Sequence, residues 1–550
     1  MSRLKSLLFP FLIVIFISVS FLRLGSVKLF DVDEAVFSEA TKEMVQSGDW
    51  ITPTYNGLNR YDKPILFYWL MALSYKLFGI NEFAARVPSA AAGILLCVCL
   101  FIFTKRVSGP ERAVNASVAL AASVYYFVYS HSAVTDMTLA LFIMLSVFCF
   151  FISVSENGES SAGRRAHLGF YLFSSLAFLT KGLVGIVFPF AIAFIYLWIT
   201  DGRGNMTRIF GRILSFRGAL LFLAVSGPWY AAELRANGIE FIQQFFIKHH
   251  FVRYTGVISG HSGPVYYYIP VLIIGMMPWV AFLPQGIKTA LKNSSVSLTA
   301  WRGRNSQESA GRPEVRHSAD LLAVIWFSLI FLFFSFSTTK LPNYILGAVP
   351  AASILIASGM SAGSARSLRY PHIFIALLAA AACAAFLIAP RFLLKAGIAD
   401  TGWTWAPALI MFALAAASSY TAYSGRTLYP FIAASMLAFV FTLSSTALPL
   451  AAEQLQGTLY KFSIYAKENL KAGDRIITYR LNKPSVVFYS DRKITNAGSM
   501  EELSSILSNN GSKENGPKLV IAKAGDLELL SAAGLVLIDK DRQYALLEKK

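Results

Sequence analysis

Long apolar runs broken by short polar connections fill most of the first 450 positions of this chain. Runs near 7–22, 87–104, 113–130, 133–154, 168–180, 183–200, 216–231, 265–284, 320–337, 341–360, 372–390, 404–421 and 427–448 approach the length that crosses a hydrocarbon layer, allowing for tilt. They predict about thirteen transmembrane helices. Beyond Leu455 the period changes: 474–480, 485–490, 518–522 and 535–539 read as short strands, and 457–470, 499–508 and 526–533 as helices. The pattern predicts an all-α polytopic membrane domain over 1–450 and a small C-terminal α/β domain over 451–550.

Two polar segments, 23–86 and about 232–264, exceed what a connector needs. In the first, Phe37, Ala40 and Met44 recur at helical spacing, so 34–46 reads as a helix that Gly48 ends. Pro64 suits the start of another helix, because a proline there loses no intrahelical bond. The apolar run 65–78 that follows is short for a crossing and reads as interfacial.

Composition confirms the class. Mean hydropathy is +0.54 and 55% of residues are hydrophobic, which excludes a soluble globular protein. Met1–Lys5 with the run 7–22 resembles a signal sequence without a small-residue cleavage pattern, and reads as a retained signal anchor. The four cysteines (Cys97, Cys99, Cys149 and Cys383) fall inside apolar segments and suggest neither disulfides nor a metal framework.

A net charge of +18 could suggest nucleic acid, but its distribution argues for a membrane instead. With the N-terminus inside, twenty cations fall in the inner loops, while the short outer loops carry only Lys181, Lys340, Arg391 and Lys395. The two long polar segments, and the tail after an odd number of crossings, are then expected on the outer side of the membrane.

Candidate chemistry gathers on that outer side. The stretches Asp31-Val32-Asp33-Glu34, Ser38-Glu39, Asp49 and Asp62-Lys63 hold six carboxylates where only 15% of residues are charged. Carboxylates beside a bilayer are costly and point to function. Asp136, Lys181, His249, His250, Arg253, Lys340 and Tyr344 fall on the same side. A carboxylate can take a proton from an attacking hydroxyl, and cations can stabilise a departing phosphate. Nucleotide-activated donors belong to the cytosol, so an outward-facing transferase needs a donor that crosses on a lipid. Plainer readings stand beside these: Asp33 as an N-cap, Asp62 and Lys63 as a surface ion pair, Lys340 as a snorkelling side chain.

The run Asp33-Glu34, Glu39-Ala40, Ser47-Gly48-Asp49-Trp50, Asn56-Gly57, Asp62-Lys63-Pro64 and Tyr68-Trp69-Leu70 resembles bacterial lipid-carrier-dependent glycosyltransferases of GT-C architecture. Thr180-Lys181-Gly182, Gly227-Pro228-Trp229, His250 with Arg253-Tyr254, and Lys340-Leu341-Pro342-Asn343-Tyr344 extend the resemblance to about residue 360. It includes lipid A aminoarabinose transferases and, more distantly, protein O-mannosyltransferases.

The resemblance implies an inverting enzyme that moves a sugar from a polyprenyl (undecaprenyl) phosphate to lipid A, a protein or a glycan. Asp33 and Asp136 match its proposed catalytic carboxylates. Lys63, Lys181 and Arg253 match cationic positions near the carrier phosphate, and Glu34, His249 and Lys340 join the expected substrate contacts. No cofactor is required, although Asp62, His250 and Tyr344 match positions where a divalent cation binds in a relative. Val36 stands where aminoarabinose transferases carry an arginine, and Asp62 where they carry a glutamate, which leaves the sugar open. A transporter or flippase for lipid-linked sugars is the alternative from another class; it would require inverted repeats, and the sequence shows none convincingly.

Overall fold

The computed structural model describes residues 2–156, 160–201, 206–245, 262–302, 315–361, 365–395, 397–471, 474, 476–508 and 518–549. His249, His250 and Arg253 lie outside them. The chain forms two units, one of Met1–Leu22, Tyr61–Phe67 and Ser89–Thr446, the other of Arg23–Arg60, Tyr68–Pro88 and Ala447–Lys550. The second unit therefore combines most of the first polar segment, all but residues 61–67, with the C-terminal region, which differs from the linear division at 450.

The first unit is a multi-pass membrane domain. Among the described residues, seven helices of the chain are long and apolar enough to cross a bilayer, or up to ten if three bent helix pairs each count as one span. The run expected as one crossing at 265–284 is such a pair, turning by 114° between Val265–Gly275 and Trp279–Ser294. Pro278 accounts for the break, since it lacks an N–H and disfavours helix in the residue before it. The run expected at 113–130 likewise bends by 60° between Pro110–Ala121 and Val124–Ser130.

Close helix contact in this unit relies on small residues. A Cβ on Gly286 would run into the carbonyl of Leu355, and one on Gly359 into that of Phe282. These glycines let the Leu283–Arg302 and Val349–Ser361 helices approach backbone to backbone. Arg112, expected as a loop cation, is instead buried against Asp320, with Nη2 to Oδ1 at 3.0 Å. Pairing is what makes two charges tolerable in such a place.

In the second unit, Asp33–Ser47 is helical, one residue longer at each end than expected, and Gly48 ends it at φ 75° with its N–H on the Met44 carbonyl. Leu66–Phe78 is also helical, and its 13 residues span only about 20 Å. Among the described residues the C-terminal sheet has five strands: β1 (Ile476–Tyr479), β2 (Ile494–Ala497), β3 (Lys518–Lys523), β4 (Leu535–Lys540) and β5 (Tyr544–Lys549). Their order is β2-β1-β3-β5-β4, with β1 parallel to β2 and β3, and β5 antiparallel to β3 and β4.

Both faces of the sheet are covered. Ile476, Leu519, Ile521 and Leu546 pack with Leu459, Phe462 and Val487 in one cluster, while Ile477, Val520, Ala545 and Leu547 pack with Leu503 and Leu530 in another. Double coverage explains why these strands read as continuous apolar runs. The stretch 485–490, expected as a strand, is the Pro484–Ser490 helix, buried throughout. A short apolar run has no period to separate the two outcomes, and Pro484 starts the helix. Strands β2 and β5 were not anticipated. On β2, the Asn56 side chain accepts from Ile494 N–H at 2.9 Å and donates to its carbonyl at 2.8 Å, covering part of an otherwise open edge.

Most of the first-segment acids serve this unit's own structure. Asp31 accepts from the Ser485 N–H and hydroxyl, both at 2.8 Å. Glu43 accepts from the Thr54 hydroxyl and the Gly57 N–H, and Asp49 from the N–H groups of Ile51 and Thr52. Lys42 is buried between Glu39 (3.2 Å) and Asp491 (2.5 Å), with a third bond to the Phe488 carbonyl.

Burial raises the Glu39 carboxyl to about 7 against the pull of Lys42, whereas the Asp491 carboxyl, despite partial burial, is held low by its bonds to Lys42 and Lys467. The unfolded chain releases the Glu39 proton near 4.5 and the folded chain only near 7. This contribution to stability is therefore full below the unfolded value and is lost as pH rises through the folded one. Asp491 has the opposite sign and loses its contribution on acidification. Glu39→Gln is expected to flatten the decline in Tm between about pH 5 and pH 7. Thermal unfolding in detergent checks this, and an unchanged slope would refute the assignment.

Candidate functional site

The Asp136–Ser155 helix begins with its own candidate carboxylate. Asp136 Oδ1 accepts from Lys181 Nζ at 2.5 Å, and Oδ2 accepts from the Asn343 amide at 3.0 Å. Lys181 comes from the last turn of the Ser161–Lys181 helix, and Asn343 from the 3₁₀ turn Pro342–Ala348. The Lys181 ammonium lies 5.7 Å from the Tyr344 ring centroid. Asp136 is 5% exposed and Lys181 17%, so the pair is sheltered while the lysine keeps an open side.

Three contacts hold the turn carrying Asn343 and Tyr344. The Tyr125 hydroxyl donates to the Pro342 carbonyl at 2.8 Å, the Tyr268 hydroxyl to that of Leu341 at 3.1 Å, and the Trp326 indole to that of Gly347 at 2.9 Å. Lys340, expected as a substrate contact, has another use. Its ammonium is buried and donates to the carbonyls of Phe334 (3.3 Å), Ser335 (2.7 Å) and Ser337 (2.7 Å). Those groups lie at or just past the end of the Val315–Phe336 helix, where carbonyls lack intrahelical donors. All three ammonium donors are engaged, so Lys340 fastens the turn. Asp62 and Lys63, also in the first unit, are half-buried, and Lys63 Nζ donates to the Asp62 carbonyl oxygen at 3.0 Å.

Asp33 and Glu34 belong to the second unit and differ sharply. Both Glu34 oxygens bind Arg86, at 2.7 and 2.9 Å, and one also accepts from the Phe30 N–H. Arg86 spends its remaining donors on the carbonyls of Leu24, Val27 and Lys28. This corrects the expectation of a substrate contact at Glu34, because the carboxylate is buried and committed. Asp33 is exposed in the first turn, Val32 rather than Asp33 is the N-cap, and no side-chain capping bond forms. Of the six acids singled out in this segment, Asp33 is the one whose carboxylate makes no hydrogen bond or ion pair among the described residues.

The structure thus brings Asp136, Lys181 and Tyr344 together and adds Asn343, which reasoning by residue type missed. Its position inside Lys-Leu-Pro-Asn-Tyr, between two singled-out residues, was the available signal. Among the described residues no group of three His, Cys, Asp or Glu side chains could hold a metal ion. His250 of the expected cation set lies outside those residues.

Known proteins share this architecture. A family model described as dolichyl-phosphate-mannose-protein mannosyltransferase matches residues 62–231. An uncharacterized protein of Aquifex aeolicus is 30% identical over 328 residues, covering 60% of this chain and 67% of that protein. The undecaprenyl phosphate-alpha-4-amino-4-deoxy-L-arabinose arabinosyl transferase of Edwardsiella ictaluri is 30% identical over 351 residues, covering 63% of this chain. ArnT from Cupriavidus metallidurans, solved bound to undecaprenyl phosphate, matches with a TM-score of 0.75 at 25% identity over 98% of this chain and 97% of that one. In sequence and fold the chain resembles the GT-C glycosyltransferases. The alignment spans 58% of the length of the Edwardsiella enzyme, so it leaves much of that relative unmatched. The Archaeoglobus fulgidus oligosaccharyltransferase shares only the fold with this chain, at a TM-score of 0.54 and 13% identity.

Proposed function

We propose that this protein transfers a sugar from undecaprenyl phosphate, or a related polyprenyl phosphate, to lipid A on the periplasmic face of the cytoplasmic membrane. The observation that carries this reading is the nearly full-length likeness to a structure holding undecaprenyl phosphate. The Lys181–Asp136–Asn343 cluster is consistent with it.

The acceptor oxygen attacks the anomeric carbon as the bond to the carrier phosphate breaks, with inversion. Asp33 takes the acceptor proton, and Asp136 orients the site. Lys63, Lys181 and Arg253 stabilise the negative charge left on the carrier phosphate. Tyr344, Asp62, His249 and His250 are further substrate-binding residues in the same proposal. No cofactor is needed, and a divalent cation at Asp62, His250 and Tyr344 belongs to the same proposal. So do the thirteen crossings, a cytoplasmic N-terminus and a periplasmic C-terminal domain.

Mass spectrometry of lipid A from cells with and without the protein tests the reading. A sugar-sized mass shift that depends on the protein supports it. An unmodified lipid A together with glycosylated envelope proteins would favour a protein O-mannosyltransferase-like activity, the second reading, which the family match over 62–231 supports.

A further inference from the structure

We propose that Asn343 is a positioning residue that holds Asp136 so that Lys181 stays available, as a charged donor, to the phosphate of a lipid carrier. The inference rests on the reading above and adds a role for a residue that reading does not use.

Lys181 and Asp136 form a sheltered pair of opposite charge. Left alone, such a carboxylate can turn both oxygens onto the ammonium, engaging its donors and cancelling its charge toward other anions. Asn343 prevents this by donating to Oδ2, while Lys181 binds Oδ1 only. One of three ammonium donors is then spent on Asp136, leaving two for an anionic ligand. The amide is neutral, so it disperses the carboxylate charge without adding a cation that would compete for the phosphate.

Asn343 can do this because the chain is fixed just before it, and after it by the Trp326 bond to the Gly347 carbonyl. Tyr125 and Tyr268 hold Pro342 and Leu341, and Lys340 ties the preceding residues to a helix end. Titratable neighbours of Asp136 include Lys181 and Tyr129, with Tyr344 beneath the lysine.

Two variants separate positioning from mere packing. Asn343→Asp is nearly isosteric but places a second carboxylate against Asp136. When that pair shares a proton it imitates the amide, and when it loses the proton it adds a negative charge beside the phosphate site. Asn343→Leu removes the donor at similar size and has no proton to regain.

The experiment measures binding of undecaprenyl phosphate to the full-length protein in detergent between about pH 5.5 and 8.5, with Tm recorded for each variant. The phosphate monoester of the ligand itself changes charge within this range, so each variant is read against wild type at the same pH. Asn343→Leu should bind roughly ten- to a hundredfold more weakly at every pH, the loss of a charge-assisted hydrogen bond. Asn343→Asp should bind nearly as wild type in acid and weaken progressively toward alkaline pH. Wild-type binding with both variants unchanged, or both weakened by the same factor relative to wild type at every pH, overturns the positioning role while leaving the proposed function standing. Failure of wild type to bind the lipid phosphate overturns the proposed function and this inference with it.

Discussion

Asp33→Asn is expected to abolish most sugar transfer while leaving the protein folded. Proton transfer by a positioned carboxylate contributes roughly 10²–10⁴-fold, and kcat should fall by that order. Asp33 suits this role because the structure makes no other use of it. Asp31, Glu34, Glu39 and Asp49 are bonded within the second unit, whereas Asp33 is exposed and uncapped. Asparagine keeps the size of the side chain, so the substitution removes the carboxylate alone. Transfer from a radiolabelled polyprenyl-phosphate sugar, read beside Tm, decides the matter. Full activity in a folded Asp33→Asn protein would remove the catalytic role.

Arg86→Met is expected to have the largest effect on stability. Every N–H of the Arg86 guanidinium is bonded, two to Glu34 and the rest to carbonyls of Leu24, Val27 and Lys28, and the side chain is 1% exposed. Removing it strands a buried carboxylate and three carbonyls. Breaking a buried pair from one side costs about 3–5 kcal/mol. The double variant Glu34→Met with Arg86→Met should recover part of this, since two apolar side chains leave no uncompensated charge. Thermal unfolding of Arg86→Met, Glu34→Met and the double variant forms the cycle, and equal destabilisation in all three would show that the ion pair is not the cause.

These results bear on how the first polar segment should be read. Its acids looked like one functional cluster, because carboxylates near a membrane are rare. Residue type and spacing cannot separate a carboxylate that holds a loop from one that faces a substrate. The partners that separate them, Arg86 for Glu34 and Ser485 for Asp31, lie 52 and 454 residues away. Lys340 shows the same limit, since its ammonium closes a helix end rather than meeting solvent. Asn343 was overlooked for the converse reason: a neutral amide has no chemistry of its own until a carboxylate is found beside it.

Hydrophobic pattern alone determined the class of this protein. Runs long enough to cross a bilayer require helices, because lipid offers backbone groups no other partner, and the change of period after Leu455 announced a small mixed domain. Local rules also placed the helix that begins at Asp33 and its end at Gly48, where a left-handed backbone suits glycine. Tertiary structure decided what depends on distant partners or on burial from two sides. It bent the run at 265–284 about Pro278, turned 485–490 into a helix, and paired Arg112 with Asp320. It also joined Asp136 to Lys181 and Asn343, residues 45 and 207 positions further along the chain. Hydrogen bonds and ion pairs form over about 3 Å, and no local pattern records which distant side chain will stand there.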